Sequence, residues 1–185
     1  MKTKHTISIF TEDRIGLLNR ITIIFTRRHI NIESITASVT EVKGIYRYTI
    51  VVCVTKELVE KLVGQIDKQI EVLKAFYHIS SDIICREIAL YKISTKGLKE
   101  NELFSRIINE NHAKILNISK DYIVVEKTGD EQDITKLFYE LEKFGVLEFA
   151  RSGKVAITKP MKTLSAYLRE IENDSNKTVK HFNNN

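Results

Sequence analysis

The chain of 185 residues suits one large or two small domains, and its hydrophobic share of 43% and charged share of 29% are ordinary for a soluble globular protein. No apolar run approaches the roughly 18 residues of a membrane-spanning helix, and MKTKHTISIF lacks the features of a signal peptide, so we expect a cytoplasmic protein with no membrane partner. The net charge of +5 admits an anionic partner, but the charged residues are dispersed along the chain.

The first half of the chain alternates between the periodicities of strands and helices. Segments of period 2 predict four strands, and two apolar stripes of period 3.6 predict helices between them. In chain order the predicted elements are the strand HTISIFT, a helix from Gly16 to His29, the strands ESITASVTEV and IYRYTIVVCV around a turn at Lys43-Gly44, a helix from about Lys56 to Gln69, and the strand EVLKAFYHI. This order is β-α-β-β-α-β, the split ferredoxin-like motif.

The second half repeats that order. Two further helices are marked by the apolar stripes Leu103, Phe104, Ile107, Ile108 and Ile134, Leu137, Phe138, Leu141. The predicted strands are REIALYKIS, the pair AKILNIS and YIVVEKT around a turn at Lys120-Asp121, and one final extended stretch, VLEFARSGKVAIT. We therefore expect an α+β fold with two ferredoxin-like units, each laying two helices on one face of a four-stranded antiparallel sheet.

The predicted domains are residues 1–79 and 83–160, joined near Ser80-Ser81-Asp82. A third region, 161–185, follows the only proline; it predicts a short helix, KTLSAYLREIE, and a frayed tail. A bare sheet face or an exposed edge in each unit favours association with another copy of the chain.

No motif typical of catalysis or of metal binding is found. The five histidines are scattered without a spacing such as HExxH, and phosphate-loop, dinucleotide and nucleophile-elbow motifs are missing. Cys53 and Cys85 have no CxxC partner and fall in strand-like segments, so we interpret both as reduced residues of the core or the sheet. The prediction is a chain with no catalytic residues and no metal site.

Nucleic-acid binding is also disfavoured. Arg27-Arg28-His29 is the densest basic cluster, and we interpret it as a solvated helix end, where cations complement the helix dipole. The segment from Lys43 stands where RNA-recognition domains carry K/R-G-F/Y-G/A-F-V-x-F/Y, but only its first two positions match. Tyr46 and Tyr48 fall on one face of that strand, where core or interface packing explains them as well.

The turn TEDRIGLLNR, Thr11 to Arg20, is the most informative local pattern. Gly16 lies where a strand ends and a helix begins, so that a ligand can approach the backbone and the free N–H groups of the helix start. A small carboxylate fits such a helix start, and Asp13 could accept an ammonium group, which together would hold a free amino acid. From the residues alone, the alternative is equally good: Asp13 caps or tightens the turn and Gly16 only shapes it.

The turn and the segment after the first helix resemble a known family. Gly16-Leu17-Leu18-Asn19-Arg20 and Ile30-Asn31-Ile32-Glu33-Ser34-Ile35 resemble the ligand loop of ACT domains, which are small amino-acid-sensing modules, and more closely that of the regulatory (small) subunit of acetolactate synthase. In the second half, REIALYKI (Arg86 to Ile93) and ARSGKVAI (Ala150 to Ile157) are similar to that family's C-terminal-domain signatures. The resemblance covers about residues 4 to 160.

This resemblance implies a non-catalytic chain that binds and activates the catalytic large subunit of acetolactate synthase, in branched-chain amino-acid biosynthesis. The catalytic subunit is expected to carry thiamine diphosphate, Mg²⁺ and FAD, and this chain no cofactor. The resemblance also implies feedback inhibition by a branched-chain amino acid, usually valine, bound between the ACT domains of a homodimer. Carried over by position, the effector site comprises Asp13, Gly16, Leu17 and Leu18 of one copy with Asn31 and Ile32 of the other.

Two positions depart from the family pattern. Asp13 stands where asparagine is usual, and Leu17 where a smaller residue is common, so we expect both to affect which amino acid is bound. In the second half, STKGLKENE has Gly97-Leu98 but no Asp or Asn three residues before the glycine, which predicts one effector site per chain. The alternative, a tandem ACT regulator of transcription or of another enzyme, should carry the loop in both halves.

Overall fold

A computed structural model describes residues 1–96 and 102–159, together with the single residue Arg169. The chain forms two compact units. Met1–Ile84 make up the first, to which the described residues from Ile157 also belong, and Cys85–Ala156 make up the second. The predicted helix KTLSAYLREIE, apart from Arg169, and the tail after it lie outside the described residues.

The first unit has the predicted order of strands and helices. Its elements are β1 (Thr3–Glu12), α1 (Leu17–Arg27), β2 (Ile32–Val39), β3 (Ile45–Val54), α2 (Lys56–Ile66) and β4 (Val72–His78). The strands form one antiparallel sheet in the order β2-β3-β1-β4. Two crossovers through helices and one hairpin give this order, which confirms the ferredoxin-like prediction for this half.

The second unit follows a short 3₁₀ turn at Ser80–Asp82. Its elements are β5 (Ile83–Ser94), α3 (Glu102–Glu110), β6 (Lys114–Ile118), β7 (Tyr122–Gly129), α4 (Glu131–Glu142), β8 (Val146–Arg151) and β9 (Val155–Thr158). Four strands follow the order β6-β7-β5-β8, and β9 pairs with β5 as a fifth strand.

The prediction of one final extended stretch is therefore wrong. Ser152 ends β8: its backbone N–H donates to the carbonyl of Ile88 at 2.9 Å, and its hydroxyl oxygen accepts from the N–H of Ile88 at 3.0 Å. A side chain thus takes the place of a backbone acceptor, and the ladder is interrupted before β9 begins. The sheet of the second unit has five strands where the sequence predicts four.

The core of the first unit lies between its sheet and its helices. Alternate residues of the two central strands, Ile7 and Ile9 on β1 and Ile50 and Val52 on β3, are fully buried there. They pack with one apolar stripe from each helix, which comprises Leu17, Ile21, Ile24 and Phe25 on α1 and Val59, Leu62 and Ile66 on α2. Most of each predicted stripe is thus buried, but Leu18, which the prediction also places on the α1 stripe, is 42% exposed.

The opposite face of this sheet is not bare, so of the two features expected, a bare face or an exposed edge, this unit has the edge. Thr6, Ser8, Thr49 and Val51 point away from the helices and are only 2–4% exposed. The edge strand β2 does remain open, with its residues from Ala37 to Val39 exposed. An open edge is therefore the feature of this unit that favours pairing with another chain.

The second unit buries a separate core around Tyr91, which is fully buried on β5. The Tyr91 hydroxyl donates to the carbonyl oxygen of Ile134 on α4 at 2.8 Å. Burial raises the pKa of Tyr91, so the hydroxyl stays protonated and keeps this bond between sheet and helix. Cys53 and Cys85 are free thiols in strands, but Cys53 is exposed, so only its place in the sheet is as predicted.

Among the described residues, no helix has the length and apolar character needed to cross a membrane; α4, with 12 residues, is the longest.

Candidate functional site

The turn between β1 and α1 forms the first half of the predicted effector site. Gly16 is the N-cap residue of α1 and has a left-handed backbone, with φ of 83°. No side chain caps this helix, so the alternative in which Asp13 serves as the cap is wrong. The backbone N–H of Asp13 donates to the carbonyl of Gly44 at 3.0 Å, which ties the turn to the β2–β3 hairpin. The hairpin therefore holds the turn in place while the helix start stays open.

Gly16 is required for its backbone conformation and leaves open space. A left-handed φ is readily adopted by glycine and costs most other residues about 1 to 2 kcal/mol. A Cβ atom added at Gly16 would meet no atom within 4 Å. The space above this glycine is thus free, next to a helix start whose first N–H groups have no partner inside the helix.

Leu17 and Leu18 have different surroundings. The Leu17 side chain is 1% exposed and belongs to the core of the first unit, whereas Leu18 is 42% exposed at the open end of the helix. The Leu17 side chain points into the core, and the expectation that it affects which amino acid is bound stays a prediction. Its backbone remains at the helix start, and Leu18 is the apolar side chain available there.

The charges around the turn leave Asp13 available. Arg14 pairs with Glu12 at 3.2 Å, and Arg20 pairs with Glu71 at 2.7 Å. The hydrogen bond from Arg20 lowers the pKa of Glu71, so this pair persists to lower pH than an unpaired carboxylate would. Asp13 is exposed and forms no ion pair with any described residue. A cationic group could therefore bind Asp13 without competition from a neighbouring arginine.

Asp13 also faces the sheet. Burial raises the pKa of Tyr48, and the nearby Tyr46 and Asp13 raise it further. Tyr48 is only 7% exposed in the core of the first unit, so it cannot serve as a stacking surface for a nucleic-acid base. Packing explains the tyrosines of β3.

The second half of the predicted site lies at the far end of α1. His29, with φ of 51°, ends the helix in a Schellman motif: the N–H of His29 donates to Thr26 and that of Ile30 to Phe25, both at 3.0 Å. This ending leads directly into Asn31, which is exposed, and Ile32, which is half-buried at the start of β2.

The structure does not bring the two halves together within one copy. The 11 residues of α1 separate Gly16 from Asn31 by about 16 Å along the helix axis, since each residue advances about 1.5 Å. A free amino acid is too short to contact both ends. One chain supplies two half-sites, and a complete site of this composition needs a second copy.

Other predicted features are also located. Arg28 of the basic cluster is half-buried and donates from its guanidinium to the side chain of Gln65, so the helix end is partly packed. Gly97-Leu98 of the second half lie outside the described residues. In the parts of the chain that the structure describes, no group of three or more His, Cys, Asp or Glu side chains could hold a metal ion.

Comparisons with known proteins match both halves of the chain. A family model described as an AHAS small subunit-like ACT domain matches residues 7–74, and one described as the small subunit of acetolactate synthase matches residues 86–160.

Proteins that this chain matches over most of their length are also described as acetolactate synthase small subunits. The acetolactate synthase small subunit of Bacillus subtilis (strain 168) is 41% identical over 157 residues, which cover 84% of this chain and 91% of that protein. The probable acetolactate synthase small subunit of Archaeoglobus fulgidus is 35% identical over 156 residues, covering 84% and 97%. The crystal structure of the small subunit from Thermotoga maritima superimposes with a TM-score of 0.78 at 25% identity, covering 86% of this chain and 99% of that one.

Proposed function

The chain belongs to the family of acetolactate synthase small subunits, and on this premise we propose that it activates a catalytic large subunit and makes that subunit sensitive to a branched-chain amino acid. The effector is valine or a close relative, bound between the ACT domains of two copies. The complex works in the cytoplasm, and the thiamine-diphosphate chemistry belongs to the catalytic subunit.

The open start of α1 carries the sensing part of the proposal. The space above Gly16 admits the carboxylate of an amino acid, and the first N–H groups of α1 would donate to it. The partial positive charge at a helix N-terminus favours the same anionic group. If Gly16 were needed only for its left-handed backbone, the space beside its Cα atom would not have to be empty.

Asp13 is the proposed partner of the effector's ammonium group. Its carboxylate is exposed on the turn, and Arg14 and Arg20 are engaged by Glu12 and Glu71. An aspartate attracts an ammonium group more strongly than the asparagine that is usual in the family, because the hydrogen bond is then between two charges. The exposed Leu18 would contact the aliphatic side chain of the effector.

A second copy supplies Asn31 and Ile32 in this proposal. The open edge of β2, which begins at Ile32, is a natural pairing surface for the same strand of another copy. Such a two-fold arrangement is self-complementary and brings the far end of one α1 towards the start of the other. The effector then bridges two copies, and its binding depends on their relative position.

The regulatory effect follows from differential binding. An effector shifts an equilibrium between two arrangements only if it binds one of them better. Couplings of this kind are typically about 1 to 3 kcal/mol, or about 5- to 150-fold in affinity. We propose that valine favours an arrangement of the ACT pair that weakens the activating contact with the catalytic subunit.

Acetolactate formation by the same organism's catalytic subunit tests the proposal. We expect the rate to rise when this chain is added and to fall again as valine is titrated in. If the chain activates the catalytic subunit but valine, leucine and isoleucine leave that activation unchanged, the proposed partner would stand and the proposed effector site would be refuted. A catalytic subunit that this chain neither binds nor activates would refute the proposal and favour a tandem ACT regulator of another system.

The number of effector sites is a separate prediction. Isothermal titration of the whole chain with valine should give one site per chain, because only the first half carries the Asp13–Gly16 turn. Two equivalent sites per chain would mean that the second half also binds the effector. One site per two chains would mean that only one of the two symmetric half-site pairs is used.

A further inference from the structure

The face of the first sheet opposite its helices carries polar side chains for which effector sensing has no use. These residues alternate along the strands with the core residues, such as Ile7 and Ile9 on β1. Strand pairing sets them in rows across the sheet: Ser38, Arg47, Phe10 and Lys74; Thr36, Thr49, Ser8 and Phe76; and Ser34, Val51, Thr6 and His78. Thr6, Ser8 and Thr49 are almost fully buried.

Arg47 is the cation of this face that has no ion pair with a described residue, since Lys74 pairs with Asp67. Its Nη2 donates to the hydroxyl of Ser8 at 3.1 Å, and its guanidinium lies 5.3 Å from the centre of the Phe10 ring. Its Nε is buried without a hydrogen-bond partner, and no described carboxylate lies within ion-pair distance of it. Burial lowers the pKa of Arg47, an effect that the field of Glu41 opposes only in part.

Two further polar atoms on the same face also have no partner among the described residues. They are Nε2 of His78, on β4, and the hydroxyl of Thr36, on β2. Burial lowers the pKa of His78; Asp82 opposes this effect and Arg47 reinforces it. His78 is therefore mostly neutral near pH 7, and a neutral imidazole can donate one hydrogen bond.

Arg47 is on the central strand β3, and the other two groups are on the edge strands β2 and β4. In the order β2-β3-β1-β4, Thr36 is on one side of Arg47 and His78 on the other, with Ser8 between them. The rings of Phe10, Phe76 and His78 follow one another along the face, with centroids 6.4 and 6.2 Å apart. The face thus combines the guanidinium of Arg47, two polar atoms without a hydrogen-bond partner among the described residues, and a row of aromatic rings.

Arg47 is half-buried, but its Nε is fully buried without a hydrogen-bond partner, and native structures rarely leave a buried polar atom unpaired. We propose that this face is an anion-binding site, separate from the effector site, in which Arg47 takes an oxyanion such as phosphate or a carboxylate. The planar guanidinium matches the paired oxygens of such groups, and Phe10 keeps it in position.

The test measures thermal unfolding of the whole chain in inorganic phosphate and in acetate, against chloride at equal ionic strength. A ligand that binds only the folded chain raises Tm as its concentration passes the Kd. We expect phosphate to raise the Tm of the wild-type chain, and Arg47→Met to remove that rise. Lys74→Met is the matched control, since Lys74 is a cation in the same row that already pairs with Asp67 at 3.0 Å.

In chloride alone, Arg47→Met should be about as stable as wild type, because it replaces a half-buried charge that has no described counterion by an apolar chain of similar length. Arg47→Lys, which keeps the charge but loses the planar fork, should bind phosphate at least about fivefold more weakly by calorimetry. A Tm that neither anion raises in the wild type would overturn the proposal. So would a phosphate-induced rise in Tm that is as large in Arg47→Met as in wild type, beyond the general effect of an excluded salt, or one that is lost equally in Lys74→Met.

Discussion

Replacing Gly16 with aspartate should abolish inhibition by valine and leave activation of the catalytic subunit intact. The new carboxylate would occupy the open space above the helix start, where the effector's own carboxylate is proposed to bind. Two like charges about 4 Å apart repel by about 4 kcal/mol at an effective dielectric constant of 20. We therefore expect valine to bind at least about 100-fold more weakly, measured by titration calorimetry and by acetolactate formation.

Gly16→Asn is the matched control for this change. Asparagine has the shape of aspartate and also tolerates the left-handed backbone that Gly16 adopts, but it has no charge. It should weaken valine binding through bulk alone, by clearly less than aspartate does. Normal valine affinity and inhibition in Gly16→Asp would show that the effector binds elsewhere.

Replacing Arg151 with methionine should destabilise the second unit by about 2 kcal/mol, between the values for an exposed and a buried ion pair, because the Arg151 side chain is 35% exposed. Nε of Arg151 on β8 lies 3.4 Å from Oε2 of Glu87 on β5, and Glu87 is only 5% exposed. Methionine keeps much of the length of the side chain and removes the cation that faces this buried carboxylate. Urea denaturation should show a lower midpoint with an unchanged slope.

Replacing Glu87, the other partner of this ion pair, should reduce the stability of the second unit by less. Glu87→Gln leaves Arg151, whose side chain is 35% exposed and can be hydrated, so we expect a loss of about 1 kcal/mol. The double variant should lose less stability than the sum of the two single variants, since both single changes remove the same ion pair. Equal losses in both single variants, or a fully additive double variant, would mean that the pair does not act as an ion pair.

This pair gives a physical reason for two motifs that the sequence shows far apart. REIALYKI contributes Glu87 on β5, and ARSGKVAI contributes Arg151 and Ser152 at the end of β8. Ser152 in turn pairs with the backbone of Ile88 and ends the strand. In this chain the two segments belong together because they pair as neighbouring strands and share the Arg151–Glu87 ion pair and the Ser152–Ile88 hydrogen bonds.

The candidate site was predictable in part. The turn at Gly16 is visible in the sequence because a strand pattern gives way to a helix pattern within a few residues, and glycine at that point indicates an unusual backbone. The direction of the Leu17 side chain could not be predicted from the sequence, because Leu17 and Leu18 are neighbours of the same residue type. Only the packing of α1 on the sheet places Leu17 in the core and Leu18 at the surface.

The sequence by itself determined the order of strands and helices, apart from the break between β8 and β9, and most of the stripe that each helix buries. Those features depend on the period of neighbouring residues, which is local information. Contacts between distant residues were decided by the tertiary structure alone: the pair of Arg20 with Glu71, the pair of Arg151 with Glu87, and the polar face around Arg47. Each depends on strand register, because a shift of one residue would turn every side chain of a strand to the other face.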